Sequence, residues 1–220
     1  MRQIFHFIQS LAESRLELLQ QYSEEVEDLM DDKLKDFIEY TDNLTKDFSP
    51  GSLEEFWDFH LDDYHQIKTD YPSVLRYSII VSAYSTLEQT LMRVHNQHSK
   101  NRAGYKKYKK NRNDISAILE YIKRDMGIKI PKNYMELSFI NKLTKIRNNI
   151  VHCNGRIYDD VNKDRLNKII KETPFIGDHS NEIMLEKEFI EIMLTNIINF
   201  LKILFNAIEL KNIQLEKTSN

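Results

Sequence analysis

At 220 residues and 41% hydrophobic content the chain can bury a core, and five glycines and four prolines against 30% charged residues favour long helices over a turn-rich β fold. A single cysteine, Cys153, excludes an internal disulfide, and no run approaches the ~20 apolar residues of a membrane span. Net charge is −3, yet residues 11–63 hold 17 acidic and four basic residues, so that stretch carries −13 and the remainder +10. Composition therefore predicts an acidic arm and a body able to approach polyanions.

The opening MRQIFHFIQSLAESRLELL reads as an amphipathic helix and not as a secretory leader, which places the expected location in the cytoplasm. Ile4, Ile8, Leu11, Leu19, Tyr22, Val26, Leu29 and Phe37 recur at near-helical spacing. If continuous, a helix over the first ~45 residues would be roughly 65 Å long, so a break or packing as a coiled arm is open. Residues 1–48 are thus expected as an acidic N-terminal helical arm. Ser49-Pro50-Gly51-Ser52 punctuates, with Ser52 expected as an N-cap and Glu55 three residues on. A short helix through Phe56, Trp57, Phe59 and Tyr64 follows. Its His60, Asp62, Asp63 and His65 have metal-ligand chemistry, but the interleaved aromatics favour an ordinary amphipathic helix, and no metal is expected.

Pro72 is expected to open a helix over about Ser73 to His98, with Leu75, Ile79, Ile80, Ala83, Leu87 and Leu91 as its core face. A basic linker comes next. Lys106, Lys107, Lys109 and Lys110 could hold RNA phosphates, and Tyr105 and Tyr108 could stack on bases. Further helices are predicted over about Asp114 to Met126, and from Pro131 through Leu137, Ile140, Leu143 and Ile146 to a stop at Gly155. The least helical region is Ile157 to Glu186, where Phe175-Ile176 and Ile183-Met184-Leu185 suggest a small hairpin. The last predicted helix, about Glu188 to Ile213, is strongly apolar. The sum is an all-α antiparallel helical bundle over residues 52–215 with a long N-terminal helical extension.

The chemistry concentrates in Ile146-Arg147-Asn148-Asn149-Ile150-Val151-His152-Cys153-Asn154-Gly155. An arginine can hold a phosphate, and a histidine can move a proton near neutral pH. At 100° per residue, Asn148 and His152 lie about 40° apart and share a face, whereas Arg147 lies about 140° from His152. Leu143, Ile146, Ile150 and Cys153 form the apolar stripe beside them. A second arginine and histidine at related spacing, Arg93-Val94-His95-Asn96-Gln97-His98, lacks the glycine stop, and its two histidines have no evident third ligand. Gly-rich phosphate loops, zinc-protease helix motifs, nucleophile elbows and Cys/His metal spacings are absent from the sequence.

Arg-Asn-x-Ile-Val-His-x-Asn-Gly at a helix end resembles the signature of the HEPN superfamily. Tyr77 to Glu88 is similar to the core helix of that family, where a Tyr-x-x-Leu-Glu run recurs. The order of elements matches too: that helix, the Arg–His helix, then a long apolar final helix, together covering roughly Pro72 to Ile213. The resemblance implies a small helical bundle acting as a metal-independent endoribonuclease, a toxin or antiviral-defence effector, without a cofactor. It implies that His152 helps move the 2′-OH proton as that oxygen attacks the phosphate, that Arg147 stabilises the phosphoryl charge, and that Asn148 orients His152 or donates to the phosphate. Glu88 would hold Arg147 in place. A homodimer, an RNA substrate and an antitoxin or defence partner are implied as well. In family toxins a modified tyrosine often stands two residues after the histidine; here that position is Asn154, with Tyr158 the nearest tyrosine. The other reading is a non-catalytic helical module of the same type that binds a protein partner or a nucleotide.

Overall fold

The computed structural model describes residues 2–100, 115–129 and 135–218. Helix α1 spans Arg2–Thr45 without interruption, so the break that the sequence left open does not occur. The chain then turns and α2 begins at Pro50–His65. The cap here is Ser49 and not Ser52: the Ser49 side chain accepts from the Ser52 amide, and Pro50 takes the first helical position. Proline suits that position because its missing N–H would be unpaired there anyway.

No break separates α2 from the helix that follows. A π turn, Gln66–Asp70, leads directly into α3, Tyr71–Ser99. Pro72 was expected to open a new helix, and it sits instead just past this turn. It offers no amide, and in a plain α-helix its ring would press on the carbonyl four residues earlier. The widened turn, in which the Tyr71 amide donates to the Gln66 carbonyl, relieves both conflicts and lets the helix run on.

The α1 helix and the α2–α3 rod form one antiparallel pair. Phe37 meets Tyr64, the Lys33 ammonium lies 5.1 Å from the Tyr71 ring centre, and Glu27 meets Arg76. Each step back along α1 is thus a step forward along its partner. Its distal end is held by aromatic contacts, Phe48 on Phe56 and Trp57 on Tyr64, and α2 has no buried residue. The other half of α1 belongs to the body: Phe5, Ile8, Ala12 and Leu16 join the same core cluster as Leu87, Leu91 and Phe200. The N-terminal helix expected as an arm therefore contributes directly to the bundle core.

Helix α3 is central. It touches α1, α4 (Ile115–Arg124), α5 (Met135–Cys153) and α7 (Lys187–Thr218). Between α5 and α7 lie α6, Lys163–Glu172, and an antiparallel hairpin of β1, Ile176–His179, and β2, Glu182–Leu185. The hairpin agrees with the sequence reading. Helix α6 was not anticipated; its apolar face consists of Leu166, Ile169 and Ile170 amid charged residues. The fold is all-α apart from that hairpin, and among the described residues no helix is long and apolar enough to cross a membrane.

One polar clamp ties the body to the arm. Arg76 Nε and Nη2 donate to the two Glu27 carboxylate oxygens, each at 2.6 Å, and Nη1 donates to the Leu185 carbonyl at 2.6 Å. The Glu27 side chain is 7% exposed and that of Arg76 16%. A fork-to-fork pair so thoroughly desolvated fixes geometry, since neither charge can leave without stranding the other.

Candidate functional site

Helix α5 presents the Arg–His segment. Leu143, Ile146 and Ile150 are buried as its apolar stripe, which fixes the rotation of the helix and thereby the direction of every neighbouring side chain. Arg147, one residue off that stripe, turns toward α3. Its guanidinium lies over the Tyr84 ring, 5.0 Å from the centroid, a cation–π contact. Tyr84 is itself fixed: its hydroxyl donates to Thr144 Oγ1 at 3.2 Å, and the Thr144 hydroxyl donates to the Ile140 carbonyl.

The same guanidinium reaches round the helix. Arg147 Nη1 donates to Asn148 Oδ1 at 3.1 Å, while its Nε is buried with no hydrogen-bond partner among the described residues. Asn148 shares its face with His152, one turn on. Arg147 and Asn148 are therefore joined by a hydrogen bond, and His152 continues their line in the last turn. The histidine is exposed, and among the described residues no hydrogen bond or ion pair engages it.

Glu88 is not joined to Arg147: among the described residues no salt bridge links them. Glu88 lies one turn beyond Tyr84 on α3, and it is the tyrosine ring that meets the guanidinium. Lys106, Lys107, Lys109, Lys110, Tyr105 and Tyr108 lie outside the described residues. The pair at the end of α3 is built differently from the one on α5. His95 is buried against Tyr121, with ring centres 4.2 Å apart, and His98 Nδ1 is hydrogen-bonded with the Tyr121 hydroxyl at 3.1 Å. His60 Nδ1 and Asp63 Oδ2 make an exposed pair at 3.4 Å. Among the described residues no three His, Cys, Asp or Glu side chains gather closely enough to hold a metal ion.

Helix α5 stops as the glycine requires. Asn154 and Gly155 both take positive φ, +51° and +83°. The turn is then stitched to the hairpin: the Ile183 amide donates to the Gly155 carbonyl, and the Ile157 amide to the Asn181 carbonyl. Two residues that sequence reasoning missed complete the mount. Asn149 is 1% exposed, and its amide donates to the Arg156 carbonyl at 2.9 Å and to Asp160 Oδ2 at 3.2 Å, latching the loop after the helix. Its signal was a polar residue placed on the buried stripe, between Ile146 and Ile150. Tyr77 is the other: its hydroxyl donates to the Ile183 carbonyl at 2.6 Å, and its ring fills the space where a side chain at position 155 would stand.

Cys153 stands next to His152 as a free, partly buried thiol. Partial burial, then the Asp160 and Asp159 carboxylates, push its thiol above the ordinary range. Tyr158 is exposed with the Lys163 ammonium 5.7 Å from its ring centre.

No family model, no curated protein and no solved structure matches the chain.

Proposed function

We propose that the chain is a metal-independent endoribonuclease of the HEPN type, acting at Arg147, Asn148 and His152. The observation that carries this reading is the hydrogen bond from Arg147 to Asn148, with an unengaged and exposed His152 one turn further along the Asn148 face. In the proposed reaction His152 takes the proton of a ribose 2′-OH as that oxygen bonds to the adjacent phosphorus. The bond from phosphorus to the 5′ oxygen breaks, that oxygen takes up a proton, and a 2′,3′-cyclic phosphate is left. Arg147 meets the charge that gathers on the phosphoryl oxygens. Asn148 holds the arginine toward the histidine. Two such sites are proposed to face each other across a homodimer, with RNA as substrate and a toxin or defence role silenced or triggered by a partner protein.

One observation favours the non-catalytic alternative. The Arg147 guanidinium is drawn against Tyr84 and its Nε is buried, which suits a residue that braces two helices. Cleavage of total RNA in EDTA by the wild type and by His152→Ala decides between them. Cyclic-phosphate ends produced by the wild type alone support the nuclease. Equal products from both proteins would remove His152 from the chemistry, and none from either favours the module that binds a protein partner or a nucleotide.

A further inference from the structure

Along the interface of α1 and α3 lies a groove of about 440 Å³ that is distinct from the Arg147 site. Arg15 enters it from α1 and Arg93 from α3, and no carboxylate is among its lining residues. Neither arginine has an ion-pair partner among the described residues. Arg15 comes from a stretch where acids outnumber bases 17 to four, yet it and Arg93 line one groove that has no acid among its lining residues. Two cations on one groove make it favourable for an anion.

The rest of the lining has the polarity of a ligand site. Thr86 and Thr90 spend their hydroxyl protons on the carbonyls one turn earlier. The Ser82 and Ser85 hydroxyls make no hydrogen bond among the described residues, which leaves them able to donate into the groove. Gln89 adds an amide with both donor and acceptor, and Leu11, 44% exposed, supplies an apolar wall. Guanidinium forks match phosphate oxygens, hydroxyls and an amide match a ribose and a base edge, and the volume falls in the range of small-ligand sites. The lining on α3 runs from Val81 to Arg93, about 18 Å of helix, the span of one compact ligand and not of an extended strand.

We infer that this groove binds a nucleoside phosphate, its phosphates held between Arg15 and Arg93 and its base against Leu11. The site is independent of RNA cleavage at His152.

The test is calorimetric titration of the full chain with ATP in EDTA, with inorganic phosphate and a ten-nucleotide single-stranded RNA as further probes. Saturable ATP binding is expected, weakened about tenfold by Arg15→Ala and by Arg93→Ala, the loss of one charge-assisted contact each. Arg93→Lys, which keeps the charge and loses the fork, should fall between. Both arginines are exposed, so melting curves of the variants should match the wild type. RNA cleavage by the two alanine variants should be unchanged, and His152→Ala should bind ATP as the wild type does. The inference is overturned by absence of saturable ATP binding, by equal binding in the double alanine variant, or by arginine-dependent binding of the RNA probe alone.

Discussion

Gly155 and Tyr77 occupy adjoining space so completely that neither position admits a larger neighbour. A Cβ at residue 155 would overlap the Tyr77 hydroxyl and stand 2.7 Å from Cζ and 2.8 Å from Cε2, on a backbone already at φ +83°. Gly155→Ala should therefore cost about 2–4 kcal/mol, combining backbone strain with overpacking. In a thermal melt that is a fall of roughly 5–15 °C. Tyr77→Phe removes only the oxygen, so the double variant Gly155→Ala/Tyr77→Phe should stay well below Tyr77→Phe alone. Full rescue would mean that the ring can move aside.

The Tyr77 hydroxyl also gives the fold a dependence on alkaline pH. Its burial, and then the nearby Glu182 carboxylate, push its pKa up to about 12 from an ordinary 10.0. The folded state thus keeps the proton where the unfolded chain has lost it, and stability falls as pH rises from 10 to about 12. Because the side chain is partly exposed, the loss should be on the order of 1 kcal/mol. Urea unfolding across that range should show a slope in the wild type that is shallower in Tyr77→Phe; identical slopes would assign the effect to other groups.

Tyr84 offers a way to separate ring from hydroxyl at the candidate site. Tyr84→Phe keeps the face under Arg147 and loses the bond to Thr144, a change of about 1 kcal/mol in stability. Under the nuclease reading it should cleave RNA within about threefold of the wild type, whereas Tyr84→Leu, lacking the cation–π partner, should fall about tenfold. Single-turnover rates on one RNA substrate measure both. If the leucine variant cleaves at the wild-type rate, Tyr84 does not position Arg147 for catalysis.

The Glu27–Arg76 clamp predicts an asymmetry between single and double substitution. Glu27→Ala leaves the arginine buried without its carboxylate and should cost about 3–5 kcal/mol in urea unfolding. Glu27→Ala/Arg76→Met removes both charges and should recover a good part of that loss. A double variant less stable than Glu27→Ala would mean that the bond from Arg76 to the Leu185 carbonyl matters more than the ion pair.

Where apolar residues recur over many turns, the sequence was easy to read. The spacing from Ile4 to Phe37 foretold helix along α1, though not that it would run unbroken, and the Leu143–Ile150 stripe foretold which way α5 faces. Helix α6 was hidden because three apolar residues in ten do not make a stripe long enough to detect. Pro72 misled for a physical reason. A proline forbids the ordinary α turn before it, but it does not forbid a wider one. At the candidate site the wheel angles set Asn148 and His152 on one face, yet they could not say where a flexible arginine would settle. That choice was made by Tyr84, a residue 63 positions away in the chain and invisible to any local pattern.

The π turn at Gln66–Asp70 also sets a phase between the two halves of the long α2–α3 rod. A π turn amounts to one extra residue threaded into an α-helix, so it rotates everything beyond it by roughly 100° relative to an uninterrupted helix. Phe56, Trp57 and Tyr64 before the turn and Arg76 after it serve the arm under that offset, while Tyr84 faces Arg147. Deleting one residue from 66–70 would barely shorten the rod. It would swing the aromatic end of the rod and the Tyr84 face out of step, so that α1 and α5 could no longer both be matched: a change of azimuth, not of length, is what this chain is least able to absorb.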